Sequence, residues 1–197
     1  MHDHDEPTRT SKVPSSAFAI ADQIGSAAGK KKLPPLHLWN PPFCGDIDME
    51  VRRNGDWFYL GSRIQRPALV KLFSSVMRRE DDDAYYLITP VEKVRIRVED
   101  APLLVVSLTV LHQDGGQSLQ FTTLTDDVVI ASNEHPITVV HGKDGPVPYV
   151  HVRDRLTAMI SRPVYYELVA NGREVAEAKH HALMITSAGV DFKLGTF

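Results

Sequence analysis

A chain of 197 residues with 43% hydrophobic and 24% charged content can bury one good core or two small ones, and its net charge of -3 supplies no basic field for holding a phosphate backbone. Nucleic acid is therefore not an expected partner. The single cysteine excludes a disulfide framework and a multi-thiolate zinc site, and no apolar run approaches the roughly 18 residues that cross a bilayer, so a cytoplasmic protein without a membrane span is expected.

In chain order, residues 1–14 are polar and read as a mobile tail. Ala17, Phe18, Ile20, Ala21 and Ile24 fall at helical spacing and predict a short N-terminal helix over Ser15–Ala28, with Gly29 as its stop. Lys30-Lys31-Lys32 and Leu33-Pro34-Pro35 follow as a basic, extended connector. Residues 1–32 thus stand apart as tail and helix. The stretch from Trp39 to Asp48 is the densest chemically, with two aromatics, two prolines, the cysteine and two acids.

From Ile47 the period becomes two, with Ile47, Met49 and Val51 on one face and Asp48, Glu50 and Arg52 on the other. Asn54-Gly55 supplies a tight turn, and Trp57 to Gly61 returns as the partner strand. Arg66-Pro67 opens a helix whose apolar stripe, Leu69, Val70, Leu72, Phe73, Val76 and Met77, predicts that it runs to Arg78-Arg79. After the acidic loop Glu80 to Asp83, strands are expected over Ala84–Thr89 and Val91–Val98, broken at Pro90. Pro102 to Leu111 and Ser118 to Leu124 read as an antiparallel pair around Asp114-Gly115-Gly116, and 126–131 as a link of open type.

The opening pattern then returns. Gly145 follows Ile137 at the interval at which Gly55 follows Ile47, Asp144-Gly145 takes the place of Asn54-Gly55, and Tyr149 that of Tyr59. Arg162-Pro163 matches Arg66-Pro67 and precedes a second helix, Val164–Ala170, with Leu168 in the place of Leu72. The expected fold class is α+β: two tandem copies of a hairpin–helix–hairpin unit, divided into an N-terminal domain over 33–100 and a C-terminal one over 101–197. Units too small to bury their own sheets should pack against each other and leave a groove between them.

Few residues announce chemistry. Cys44 has no sequence neighbour that would activate its thiol, so it reads as a buried residue or a redox sensor. Asp46 and Asp48 share a strand face, as polar-ligand holders or as the wet side of a strand. Glu92 and Lys93 follow the bend at Thr89-Pro90 and either reach into a cleft or belong to a solvent-facing row with Arg95 and Arg97. The histidines lack metal-ligand spacing, and phosphate-loop, dinucleotide and nucleophile-elbow motifs are absent, so no metal and no cofactor is expected.

The blocks Leu36 to Asp48, Trp57 to Ser62, Tyr85 to Lys93 and Val98 to Leu103 resemble the proteobacterial family known as domain of unknown function 1285, over roughly residues 20–195. The resemblance implies a duplicated two-domain α+β fold with a pleckstrin-homology-like C-terminal part, a ligand site at the domain interface for a nucleotide-like molecule, and a role in signal transduction. It implies no catalytic residue. His141 to Arg153 has no counterpart of Cys44-Gly45-Asp46, which assigns more of any site to the first copy.

The reading that follows is a non-enzymatic ligand-binding module in which Trp39, Asn40, Asp46, Tyr59, Thr89, Glu92 and Lys93 line the groove. Lys93 would attract an anion, Asp46 would take polar hydrogens, and Trp39 or Tyr59 would stack. The alternatives are a protein-partner interaction domain, or a small hydrolase or transferase using Asp46 or Glu92 as its base.

Overall fold

Alternation decides the first sheet. The computed structural model describes residues 19–21, 33–113, 116–143, 145–176 and 180–196, so the tail and most of the helix over Ser15–Ala28 lie outside the described residues. Strand β1 (Phe43–Val51) turns Met49 and Val51 inward and Asp46 and Asp48 outward. It begins four residues before the period-two pattern is visible, because Gly45, at φ 109°, and two register shifts interrupt the alternation there. Strands β2 (Trp57–Tyr59) and β3 (Ser62–Arg63) complete a meander, and β4 (Met77–Arg79), β5 (Tyr85–Ile88) and β6 (Lys93–Val98) form another. The sheet order is β3-β2-β1-β6-β5-β4, with β1 and β6 parallel at its centre.

Helix α1 (Pro67–Ser75) covers the inner face. Phe73 is fully buried and stacks on Trp57, centroids 6.2 Å apart. The helix stops at Ser75 rather than Arg79. Val76 and Met77 are apolar in either period, and the pairing of Met77 with Leu87 draws them into the sheet.

The second domain is built on a sheet ordered β10-β11-β12-β7-β8-β9. Its members are β7 (Leu103–Gln113), β8 (Gly116–Thr123), β9 (Val128–Ile130), β10 (Ile137–Gly142), β11 (Gly145–Arg153) and β12 (Leu156–Ile160). Residues 128–130, within the link left open by the sequence, are thus an edge strand. Helix α2 (Arg162–Ala170) buries Val164 and Leu168, and β13 (Arg173–Ala176), β14 (His181–Ser187) and β15 (Val190–Thr196) make a third sheet whose last strand lies alongside β10. The architecture is strand-rich α+β in two domains.

Several contacts fasten the domains, among them the Lys71–Asp126 ion pair at 2.7 Å. The β1–β2 turn presses on the second domain at Gly55, where a Cβ would stand 2.9 Å from Leu124 Cδ2 and 3.2 Å from Leu104 Cδ2. Arg153, ion-paired with Asp127 of its own domain, donates across to the Ser74 carbonyl at 2.8 Å, with both charged side chains largely buried. Arg155 reaches Asp81 and Asp83 beyond the end of β4.

Candidate ligand cleft between the two domains

The residues singled out in the sequence do not line one cleft. Asp46 and Lys93 lie on the outward face of the first sheet, whereas Tyr59, paired with Met49, lies on the inward face. Thr89 and Glu92 are buried in the β5–β6 turn, where the Thr89 hydroxyl oxygen accepts the Glu92 N–H at 3.1 Å. The Trp39 carbonyl accepts from Arg78 Nη1 at 3.0 Å, and its side chain packs on the core. Asn40 is exposed beside it.

The outward face is neutralised from within. Arg95 grips Asp46 with two hydrogen bonds of 2.8 Å, and Arg97 takes Asp48. The Arg95 hydrogen bonds hold the Asp46 carboxyl below the usual range, so it is a poor base at neutral pH. Lys93 pairs with Glu80 at 2.6 Å and sits 4.9 Å from the Tyr86 ring centroid. Burial alone would raise the Glu80 pKa, but hydrogen bonds from Lys93 and Arg78 outweigh it and leave the carboxyl lowered. A face whose charges are already matched offers an anion little.

A different place has the opposite property. A cleft of about 410 Å³ opens where Arg53, in the β1–β2 turn, meets Pro146–Pro148 of β11, Met159 and Ile160 at the end of β12, and Arg162, Tyr165 and Tyr166 in the first turn of α2. Among the described residues, its lining contains two arginines and no carboxylate. Local chemistry explains the placement: Pro163 starts α2 without needing its missing N–H, which puts Arg162 at the helix mouth. The first turn holds no acid and Ser161 makes no side-chain cap, so the positive helix end stays uncompensated by α2 itself.

Asp100, in the interdomain connection, positions Arg53. Arg53 Nε lies 3.0 Å from Asp100 Oδ2, its backbone N–H donates to Glu99 at 2.8 Å, and Tyr149 donates its hydroxyl hydrogen to the other Asp100 oxygen at 2.8 Å. Burial, then the Asp100 hydrogen bond, pushes the Tyr149 pKa up to about 12. Tyr165 donates to the Leu194 carbonyl at 3.0 Å, which fixes its ring, and burial raises its pKa. Tyr166 is 63% exposed and presents its ring to the opening.

Arg162 stands out from the other arginines. Arg52, Arg53, Arg63, Arg78, Arg79, Arg95, Arg97, Arg153, Arg155 and Arg173 each have a carboxylate partner. Among the described residues, Arg162 and Arg66 are the arginines without one. Sequence reasoning noticed both as helix starters before proline and did not weigh their charge.

Comparison with known proteins shows the family. Residues 34–101 match the family model described as domain of unknown function (DUF1285), N-terminal domain, and residues 102–194 match its C-terminal domain. The chain belongs to the DUF1285 family. A crystal structure of a DUF1285 family protein from Silicibacter pomeroyi DSS-3 is 44% identical, with a TM-score of 0.81, covering 93% of this chain and 96% of that one. Another, from Shewanella baltica OS155, is 33% identical over 62% of this chain and 90% of that one, with a TM-score of 0.50. No curated protein matches. Among the described residues, no helix is long and apolar enough to cross a membrane, and no group of three His, Cys, Asp or Glu side chains is placed to hold a metal.

Proposed function

We propose that this DUF1285 protein is a non-enzymatic cytoplasmic module that binds a nucleotide-like anion in the cleft between its domains and acts in signal transduction. The observation carrying the proposal is Arg162: among the described residues it has no carboxylate partner, and it faces Arg53 across a cleft lined by tyrosine and without described acids. Phosphate or carboxylate oxygens suit the two guanidinium groups, and a flat base suits the tyrosine rings. The cleft's size is within the range of small-molecule sites.

A ligand there touches both domains, so binding is coupled to how firmly they are held together. That coupling is the physical content of the signalling role. The fold reading extends in the same direction. The order strand–strand–strand–helix–strand–strand–strand occurs over β1–β6 with α1 and again over β10–β15 with α2, with first and last strands adjacent both times, which supports an internal duplication. The curled second sheet with its helix is the part we liken to a pleckstrin-homology domain.

A thermal-shift screen against nucleotides, dinucleotides and cyclic dinucleotides tests the proposal. A ligand at a hundred times its Kd adds about 2.7 kcal/mol of stability. The shift should vanish in Arg162→Gln and shrink in Arg53→Gln. A shift indifferent to both changes places the ligand elsewhere.

A further inference from the structure

We infer that the first domain carries a second binding cleft, at the position equivalent to the first, and that it takes a small anionic amphiphile such as a medium-chain carboxylate. A cavity of about 510 Å³ lies between the start of α1 and strands β2 and β3. Its walls are Tyr59, Leu60, Ile64, Leu69 and Phe73, and its charged groups are Arg63 and Arg66. Both clefts are framed by the second and third strands of a meander and by the residues just before and after the helix proline. Arg66 precedes Pro67 as Arg162 precedes Pro163.

Charge and polarity name the occupant. Arg63 is spoken for, held by Asp56 at 2.5 Å. Arg66 has no ion-pair or hydrogen-bond partner for its side chain among the described residues, and no carboxylate lines the cavity. A positive charge at the rim of an apolar cavity favours a ligand with one anionic head and a hydrocarbon body. The walls differ from those of the interdomain cleft in a way that separates the two ligands. Counted from the helix proline, Leu69 takes the place of Tyr165, and the first-domain cavity has neither the proline pair nor a ring like that of Tyr166, so it rewards aliphatic rather than stacking contact. Leu60, 66% exposed at φ 49°, holds a large apolar side chain at the rim.

The test is a titration of the ¹⁵N-labelled full chain with sodium decanoate below its micelle threshold, followed by amide chemical shifts. Saturable shifts are expected at Tyr59, Leu60, Ile64 and Leu69. Arg66→Gln should weaken binding about tenfold, the scale of one lost charge-assisted contact, while Arg162→Gln leaves it unchanged. Neutral decanol should bind wild type about as weakly as decanoate binds Arg66→Gln. Arg66 is exposed and the rest of the variant's spectrum reports that it is folded. Shifts scattered over the surface, equal binding of decanol and decanoate, or equal loss in Arg162→Gln would each overturn the assignment. Because nucleotide binding is read at Arg162 and decanoate binding at Arg66, either proposal can fail without the other.

Discussion

Gly55 and Leu124 stand on different domains, and a Cβ at Gly55 would come within 2.9 Å of the Leu124 Cδ2 atom. The same glycine has φ +84°, so it serves both the hairpin turn and the close approach of the second domain. Gly61, at φ +73°, has open space where its Cβ would be, which makes it a control for the backbone alone. Gly61→Ala should cost about 1–2 kcal/mol of left-handed strain. Gly55→Ala should cost more, since Leu104 Cβ at 3.3 Å is less able to swing aside than the tip of Leu124. Chemical denaturation of both variants measures the difference, and equal losses would show that the domains do not bear on the turn.

The Arg153–Asp127 pair belongs to the second domain and sits at the interdomain seam, with side-chain exposures of 14% and 13%, where Arg153 also donates to the Ser74 carbonyl of the first domain. Removing one partner leaves a buried charge uncompensated, a loss of about 3–5 kcal/mol. Asp127→Ala should be destabilised on that scale. The double variant Asp127→Ala/Arg153→Met should recover part of the loss, because it removes the Arg153 charge left uncompensated, while the Thr123 and Thr125 hydroxyls still lose their acceptor. Additive losses in a denaturation cycle would argue against a coupled pair.

Hairpins and helix starts were legible in the sequence because their determinants are local. Asn54-Gly55 with period-two flanks wrote one hairpin, and Arg66-Pro67 and Arg162-Pro163 wrote two helix starts. The end of α1 was not legible, since Val76 and Met77 satisfy a helical stripe and a strand equally well until Leu87 arrives to pair. The parallel contact of β1 with β6 and that of β12 with β7 depend on partners far along the chain. The surroundings of the candidate site residues were not legible for a related reason. Asp46 and Lys93 look reactive in isolation, and only the fold shows Arg95 and Glu80 beside them. Arg162 looks ordinary, and only the fold shows that it has no carboxylate partner among the described residues.

Acid should weaken the protein through its paired carboxylates. Asp46, held down by Arg95, and Glu80, held down by Lys93 and Arg78 against burial, have folded pKa values below their ordinary ones. Such groups contribute stability above the unfolded pKa, about 4, and the contribution is lost as pH falls through the lower folded value. Stability measured by urea titration should therefore drop as pH falls below about 4. In Arg95→Gln the Asp46 part of that drop should disappear, so wild type and variant converge as pH falls. A constant gap across the range would contradict the linkage.

The alkaline side has the reverse sign. The Tyr149 pKa is raised to about 12 in the folded protein by burial and by Asp100, against about 10 for an unfolded tyrosine. Its contribution is complete below pH 10 and is lost as pH rises toward 12, because the unfolded chain ionises first. Tyr149→Phe should flatten that limb and cost about 1 kcal/mol at neutral pH for the missing hydrogen bond. It should also loosen Arg53 through Asp100, so nucleotide affinity should fall while decanoate affinity does not. An unchanged alkaline limb would remove Tyr149 from the account.

The most direct test sets the interdomain cleft against the outward sheet face. Fluorescence anisotropy of a methylanthraniloyl-labelled nucleotide, and of a cyclic dinucleotide bearing the same label, would be measured with wild type, Arg162→Gln and Lys93→Gln. Wild type should bind at least one probe saturably, Arg162→Gln should lose about tenfold or more, and Lys93→Gln, whose lysine is already matched by Glu80, should keep wild-type affinity. Loss of binding in Lys93→Gln with full affinity in Arg162→Gln would contradict the interdomain assignment and move the site to the sheet face. Absence of binding to either probe by wild type would refute the nucleotide-like ligand itself.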